Sequence, residues 1–206
     1  METRAEQKAK TRRNLIESAL KLSSSKGFSA VSLREVTQAA GVAPAAFYRH
    51  FRDMEELGLN LVDEIALSLR RLLRNARKNS ESKDSSHLTV FSIDTFVDYV
   101  NENANLFRLL LGERQGSSDT FRVAIRKEVD LFVEELSEDL ERISKSRKQA
   151  LRNYGHAAEA IVAVVFSVGA EALDLPRHKQ ESLKHRLVEE VNMIIRGARA
   201  STKKSR

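Results

Sequence analysis

A chain of 206 residues with only 8 glycines, 2 prolines and no cysteine leaves little room for the turns of an all-β fold, and it excludes disulfides, thiolate metal sites and cysteine nucleophiles. Its net charge of +6 is unevenly spread: residues 1–52 hold 10 Lys/Arg against 4 Asp/Glu, residues 53–195 hold 20 against 25, and residues 196–206 hold five cations and no anion. A basic head and tail around an acidic body point to a polyanionic partner for the head, although a merely solvated surface has the same composition.

The charged N-terminus argues against a signal peptide. The longest nearly apolar run, Ala160–Ala170, is shorter than the ~20 residues of a membrane span. The expectation is a soluble cytoplasmic protein with no membrane partner. In chain order, residues 4–25 read as a first helix with Leu15, Ile16, Ala19 and Leu22 on one face. Lys8, Lys10, Arg12 and Arg13 crowd its start, where cations oppose the helix dipole; either an anion such as a phosphate faces them or the end frays into solvent. Gly27 suits the helix end. Ser32 and Glu35 have the spacing of a capping box for a helix over 33–40, Gly41 makes a turn, and Pro44 suits the first position of a helix over 44–51. Phe47 and Phe51 face inward; Tyr48, Arg49 and His50 face elsewhere. Asp53 caps a long helix to about residue 78, roughly 40 Å at 1.5 Å per residue. Residues 79–86 read as a polar loop. Helices follow over 88–103, 105–114, 118–143, 147–173 and 178–199, with Pro176 between the last two.

The segment 33–51 has the layout of a helix-turn-helix, in which one helix enters the major groove while another braces against the backbone. Ala45 and Ala46 are small enough for close approach and suit thymine methyls. Arg34 suits bidentate contact with guanine. Tyr48 and His50 offer donors to phosphates, and Arg49 suits either role. Spacing alone also fits a helical hairpin with surface arginines.

The residues Ala40-Gly41-Val42, Phe47-Tyr48-Arg49-His50-Phe51 and Glu56-Leu57, with Ser32 and Arg34, resemble the signature of the TetR family of bacterial transcriptional regulators. The resemblance implies an all-α homodimer. Each chain would have a three-helix helix-turn-helix DNA-binding head over 1–52 and a larger helical ligand-binding and dimerisation bundle over 53–200; a disordered basic tail over 201–206 is expected beside them. It maps Ser32, Arg34, Ala45, Ala46, Tyr48, Arg49 and His50 onto DNA-facing positions. Two departures stand out. Ala43 and Met54 occupy positions where many members carry Ser/Thr and Lys, and Lys8, Arg12, Arg13 or Arg52 are candidates to replace the lost phosphate contacts. Phe47–Gly58, Asn105–Ser118 and Val165–Asp174 further resemble a branch of the family that represses unsaturated fatty-acid biosynthesis in gammaproteobacteria or regulates desaturases by sensing acyl-CoA. This implies a pseudo-palindromic double-stranded operator and a long-chain acyl-CoA or acyl carrier protein thioester as partners.

In the body, Phe91, Phe96, Phe107, Phe121, Phe132 and Phe166, with Val97, Val100, Leu110, Ile125 and Val165, fit either an apolar tunnel or a filled core. Arg108, Arg114, Arg122 and Arg126 suit an anionic ligand head or a solvated face. Ala157, Ala158, Ala160, Ala163, Gly169, Ala170 and Ala172 allow close helix approach, and Leu183, Leu187, Val191 and Ile194/Ile195 form a stripe on the last helix. Together these two helices read as an association surface for a two-fold four-helix bundle. Tyr154, His156, Glu159 and Glu171 stand out as polar groups on an apolar helix, either lining a cavity, bonding across a dimer or satisfied in a core. The five histidines lack metal spacing, and no phosphate-binding glycine loop, His-Glu-x-x-His or nucleophile elbow occurs. No catalytic residue, metal or cofactor is expected. The rival readings are a repressor of an efflux pump that senses other lipophilic molecules, and an acyl-handling enzyme or carrier that binds no DNA.

Overall fold

The computed structural model describes residues 3–79 and 85–199. The predicted tail over 201–206, and most of the predicted loop over 79–86, lie outside those residues. Among the described residues there are nine α-helices and no strand: α1 Arg4–Lys26, α2 Leu33–Ala39, α3 Pro44–Phe47, α4 Met54–Asn79, α5 Ser85–Glu102, α6 Ala104–Arg114, α7 Asp119–Ser146, α8 Tyr154–Gly169 and α9 Arg177–Arg199. The fold is all-α. Two compact units share it, one formed by Met1–Ile65 with Ala104–Arg126 and the other by Ala66–Asn103 with Lys127–Arg206. The helices α4 and α7 each contribute to both.

In the first unit, α1 packs on α2 and α6. Its start is fixed by a capping box in which the Glu6 N–H donates to Thr3 Oγ1 (3.2 Å) and the Thr3 N–H donates to the Glu6 carboxylate (2.7 Å). The core joins Leu15, Ala19, Phe28, Val36, Phe47, Phe51, Leu57, Leu61, Leu106, Leu109, Phe121 and Ile125. Gly58 lets α4 lie flat on this core: a methyl group there would run into the Phe121 ring and come within 2.7 Å of Phe28 Cε1.

In the second unit, α8 packs on α9, and α5 packs on both. Buried side chains include Leu69, Ile93, Phe96, Val97, Val100, Ala158, Ile161, Leu183, Leu187 and Val191. Charged pairs tie the later turns of α4 to α7: Arg70 to Glu128 and Glu135, Arg74 to Glu135 and Glu138, and Arg77 to Asp139. Gln180 is buried and satisfied. Its amide donates to Asn101 Oδ1 (3.0 Å), Ala172 O (2.9 Å) and Leu175 O (3.1 Å).

Three boundaries differ from the sequence expectation by four residues or more, while α5 starts at Ser85, within the predicted loop, and α7 runs on to Ser146. The helix predicted over 44–51 is α-helical only to Phe47. Beyond it the Arg49 and His50 N–H groups bond carbonyls three residues back, on Ala46 and Phe47, and this tighter winding ends the regular helix. The helix predicted to start at 147 starts at Tyr154. Lys148, at φ 53°, breaks the chain after α7, and Asn153 caps α8 by accepting the His156 N–H at 2.9 Å. Finally, α8 stops at Gly169, and Ala170–Leu173 tightens into a 3₁₀ turn. Tyr154–Leu173 is nevertheless a 20-residue apolar stretch of mean hydropathy 1.5, long and apolar enough to cross a membrane by those two measures and longer than the run the sequence suggested. Its face Ala157, Ala158, Ile161, Val162 and Val165 is buried within the second unit.

Candidate nucleic-acid interface and interior cavity

The first unit presents α2 and α3 across a turn. Ser32 caps α2 in a closed box: its Oγ accepts the Glu35 N–H (3.3 Å) and donates to the Glu35 carboxylate (2.7 Å), which also accepts the Ser32 N–H (3.0 Å). Lys26 Nζ adds a 2.6 Å ion pair to the same carboxylate. The Lys26 ammonium, then the Ser32 N–H and hydroxyl, hold the Glu35 carboxyl down at about 2. The Ser32 hydroxyl proton is thereby committed to Glu35. Gly41, at φ 69°, adopts a conformation that side chains disfavour, and the Val42 N–H closes the turn on Thr37 O at 3.0 Å. Pro44 opens α3 and Ala43 supplies no side-chain cap.

Phe47 is fully buried against Phe51, with ring centroids 5.7 Å apart. This anchors the turn that follows and leaves Tyr48 62% exposed. Arg34, Ala45 and Arg49 are exposed, whereas Ala46 and His50 are half-buried. Burial, then the charges of Lys8, Arg12 and Arg49, keep the His50 pKa below its usual value. The same effect shows that α1 and the residues after α3 pool their cations around one imidazole. Lys8 and Arg13 are exposed on α1, and among the described residues neither they nor Arg34 and Arg49 have an ion-pair partner. Arg12 is held differently. Its guanidinium lies over Phe51 (5.3 Å to the centroid) and donates to Asn60 Oδ1 at 3.3 Å. Arg52 is engaged with Asp53 at 3.0 Å, and Met54 packs against the core.

The second unit contains a cavity of about 110 Å³. Its wall combines Leu73 and Arg77 of α4, Leu88, Thr89, Ser92, Ile93 and Phe96 of α5, Phe132, Leu136, Leu140 and Ile143 of α7, Ile161, Val162, Val165 and Phe166 of α8, and Val191 and Ile195 of α9. Of the residues proposed from the sequence for an apolar ligand, Phe96, Phe132, Val165 and Phe166 line it. Val100 is buried outside the lining, and Phe91 is 48% exposed on α5. Phe107, Leu110, Phe121 and Ile125 lie in the first unit, the last two and Leu110 packed into its core; Arg108 and Arg114 are exposed on α6 in the same unit. The cavity residues missed by sequence reasoning, such as Leu136, Leu140 and Ile143 or Leu88 and Ser92, do recur at helical spacing. That spacing is shared with every other inward stripe in the chain.

Residues 15–60 match the model of bacterial regulatory proteins of the tetR family, and residues 86–194 match the model of the tetracyclin repressor-like C-terminal domain. The chain belongs to the tetR family of bacterial regulatory proteins. Solved structures agree on the fold. A transcriptional regulator from Rhodococcus sp. RHA1 superposes with a TM-score of 0.72 at 19% identity, over 91% of this chain and 97% of that one. The fatty acid degradation regulator FadR from Bacillus halodurans gives 0.67 at 16% identity, over 94% and 96%. SmeT, in complex with triclosan, gives 0.71 at 18% identity, over 91% and 90%.

Members of the tetR family are transcription factors that bind DNA operators and act as homodimers, and this chain is a DNA-binding transcriptional regulator. The stripe Leu183, Leu187 and Val191, expected to associate two copies, is buried within the chain instead, as are Ala157, Ala158, Gly169 and Ala172. Small size there serves the packing of α8 on its own neighbours. The surfaces these helices leave outward carry Ala163 and Ser167 of α8 and Met193 of α9, the last 59% exposed. Of the four polar residues singled out on this stretch, Tyr154 donates to Ser144 Oγ (3.4 Å), Glu171 pairs with Arg186 (2.7 Å), and His156 and Glu159 are exposed.

Proposed function

We propose that this regulator represses genes of unsaturated fatty-acid or lipid biosynthesis, and that long-chain acyl thioesters, on coenzyme A or acyl carrier protein, tune its affinity for a pseudo-palindromic operator. On the DNA side, Arg34 reads a base edge in the major groove while Ala45 and Ala46 let α3 sit close to it. Lys8, Arg13, Arg49, Tyr48 and His50 engage phosphates and set the register, with Arg12 adding its charge from a fixed position and Ser32 contributing the start of α2. Dimerisation fixes the separation of the two reading heads.

The observation that carries the effector side is the cavity, whose wall is almost wholly hydrocarbon, as an acyl chain requires. The similarity of Asn105–Ser118 and Val165–Asp174 to fatty-acid regulators supports the same reading. One helix links the two tasks: α4 supplies Leu57 and Leu61 to the core of the head and Leu73 and Arg77 to the cavity wall. A ligand that prefers one of two settings of α4 changes operator affinity by its differential binding to them.

The size of the cavity favours a second reading, in which the effector is a compact lipophile and the target is an efflux gene. A cavity of about 150 Å³ takes one benzene molecule, and this one measures about 110 Å³, so an acyl chain must widen it. A gel-shift titration of the full chain on promoter fragments of unsaturated fatty-acid genes separates the two. A change in affinity with oleoyl-CoA, absent with coenzyme A alone, supports the first reading. A response to phenols and dyes without one to the thioester supports the second, and no shift of any fragment sinks the lipid target.

A further inference from the structure

Three polar side chains interrupt the hydrocarbon wall of the cavity, and they differ in kind. Thr89 Oγ1 already donates to Asn192 Oδ1 at 3.5 Å. Arg77 brings a guanidinium, but its Nε donates to Asp139 Oδ2 at 2.6 Å and both side chains are largely buried. Its charge is already matched. Ser92 brings a hydroxyl whose oxygen has no solvent access, from the cavity side included, and no hydrogen-bond partner among the described residues, so a rotation about χ1 is what turns it to a ligand. A serine within a helix ordinarily bonds back to a carbonyl one turn earlier; Ser92 does not. A buried hydroxyl left unpaired is destabilising, and a ligand that pairs it recovers that loss.

We propose that the cavity takes an uncharged lipophile bearing one hydrogen-bonding group, that Ser92 Oγ holds this group, and that the Arg77–Asp139 pair makes the site reject carboxylates. The proposal rests on the reading above that the cavity is the effector site, and it deepens it by separating thioesters from free acids. A carboxylate in the cavity has two poor options. It displaces Asp139 from Arg77 and leaves that largely buried carboxylate held by Arg142 alone, or it stays unpaired itself against apolar walls. A thioester carbonyl, an alcohol or a phenol demands one partner only, and a serine hydroxyl both donates and accepts.

The test is calorimetric titration of the full-length protein with 1-octanol, 1-chlorooctane, octanoate and S-octanoyl-N-acetylcysteamine at about pH 7.5, where the acid is ionised. Octanol and the thioester bind, and octanoate binds at least about tenfold more weakly. Ser92→Ala weakens octanol by about tenfold and leaves 1-chlorooctane unchanged. Asp139→Asn frees Arg77 and raises octanoate affinity; should that variant fail to fold, the octanol-to-octanoate ratio of the wild type and the Ser92→Ala titration still decide. Octanoate binding as tightly as octanol, Ser92→Ala leaving octanol unaffected, or no probe binding at all overturns the proposal. A preference for octanol combined with operator binding indifferent to oleoyl-CoA upholds it and overturns the acyl-thioester reading instead.

Discussion

The Arg12 guanidinium carbon lies 5.3 Å from the centroid of the Phe51 ring, so one cation of the basic head is fixed by the same aromatic side chain that anchors the residues after α3. With its hydrogen bond to Asn60, Arg12 is oriented before any duplex arrives. Arg13, its exposed neighbour in sequence, has no such support. Arg12→Ala therefore lowers both the stability of the free protein, by about 1 kcal/mol for a half-exposed cation–π contact and its hydrogen bond, and operator affinity. Arg13→Ala lowers affinity alone. Thermal melts in the absence of DNA separate them; equal melting temperatures for the two variants would show that Arg12 is as loosely held as its neighbour.

Arg34 and Lys8 test the division of labour on the DNA. Arg34 stands exposed at the start of α2, and Lys8 stands exposed on α1. Arg34→Ala costs about 1–3 kcal/mol and relaxes preference at a single base position, while Lys8→Ala weakens all sequences alike and lowers the salt slope by about 1. Anisotropy titrations on operator and random duplex at several salt concentrations read both quantities. Arg34→Ala weakening operator and random duplex equally would remove it from base reading.

His50 gives the head a pH dependence of two opposite signs. Burial and three neighbouring cations keep its pKa below 6.5, so the unfolded chain takes up this proton at a higher pH than the folded head does. The head's stability is full above 6.5 and is lost as pH falls from there toward the folded value. A phosphate beside Lys8, Arg12 and Arg49 offsets those cations and favours the imidazolium. DNA binding then takes up a proton, and affinity rises as pH falls, by at most about tenfold per pH unit. His50→Gln flattens both dependences. Operator affinity of the wild type that stays level from about pH 8 to about pH 6 would place His50 away from any phosphate.

What the sequence made legible follows one physical line. Ser32 with Glu35, Pro44 at a helix start, Asp53 accepting the Glu56 N–H at 2.8 Å, and inward Phe47 and Phe51 are all governed by neighbours within four residues, and local rules reach that far. The break between α7 and α8 depends on Lys148 and Asn153, whose residue types are ordinary in a polar stretch; the sequence places a break at 144–146, and it falls at 147–153 instead. The cavity was harder still. A 3.6-residue apolar period says that a side chain faces inward; it does not say toward which interior. Phe121 and Phe166 obey the same period, yet the first packs against Phe28 at 5.4 Å and the second against Phe96 and Phe132 at 5.6 and 5.3 Å. Only the crossing of helices distant in sequence sorts them. Leu183, Leu187 and Val191 carry the same ambiguity between an intrachain core and a partner's surface.

Gly169 separates packing around the cavity from helix propensity. A methyl group at this position runs into the Phe96 ring, with Cζ at 3.2 Å and Cε1 closer still, and Phe96 lines the cavity. Gly169→Ala pushes that ring toward the space a ligand needs. It costs about 1–3 kcal/mol of stability as overpacking, and it weakens effector binding while leaving the affinity of the ligand-free protein for DNA unchanged. Gly112 of α6 is the control, because nothing lies within 4 Å of a methyl group placed there. Gly112→Ala gains up to about 1 kcal/mol from helix propensity alone. Denaturant midpoints read the opposite signs of one chemical change. Stabilisation by both substitutions would mean that the Phe96 ring has room to retreat, and the effector affinity of Gly169→Ala should then match the wild type.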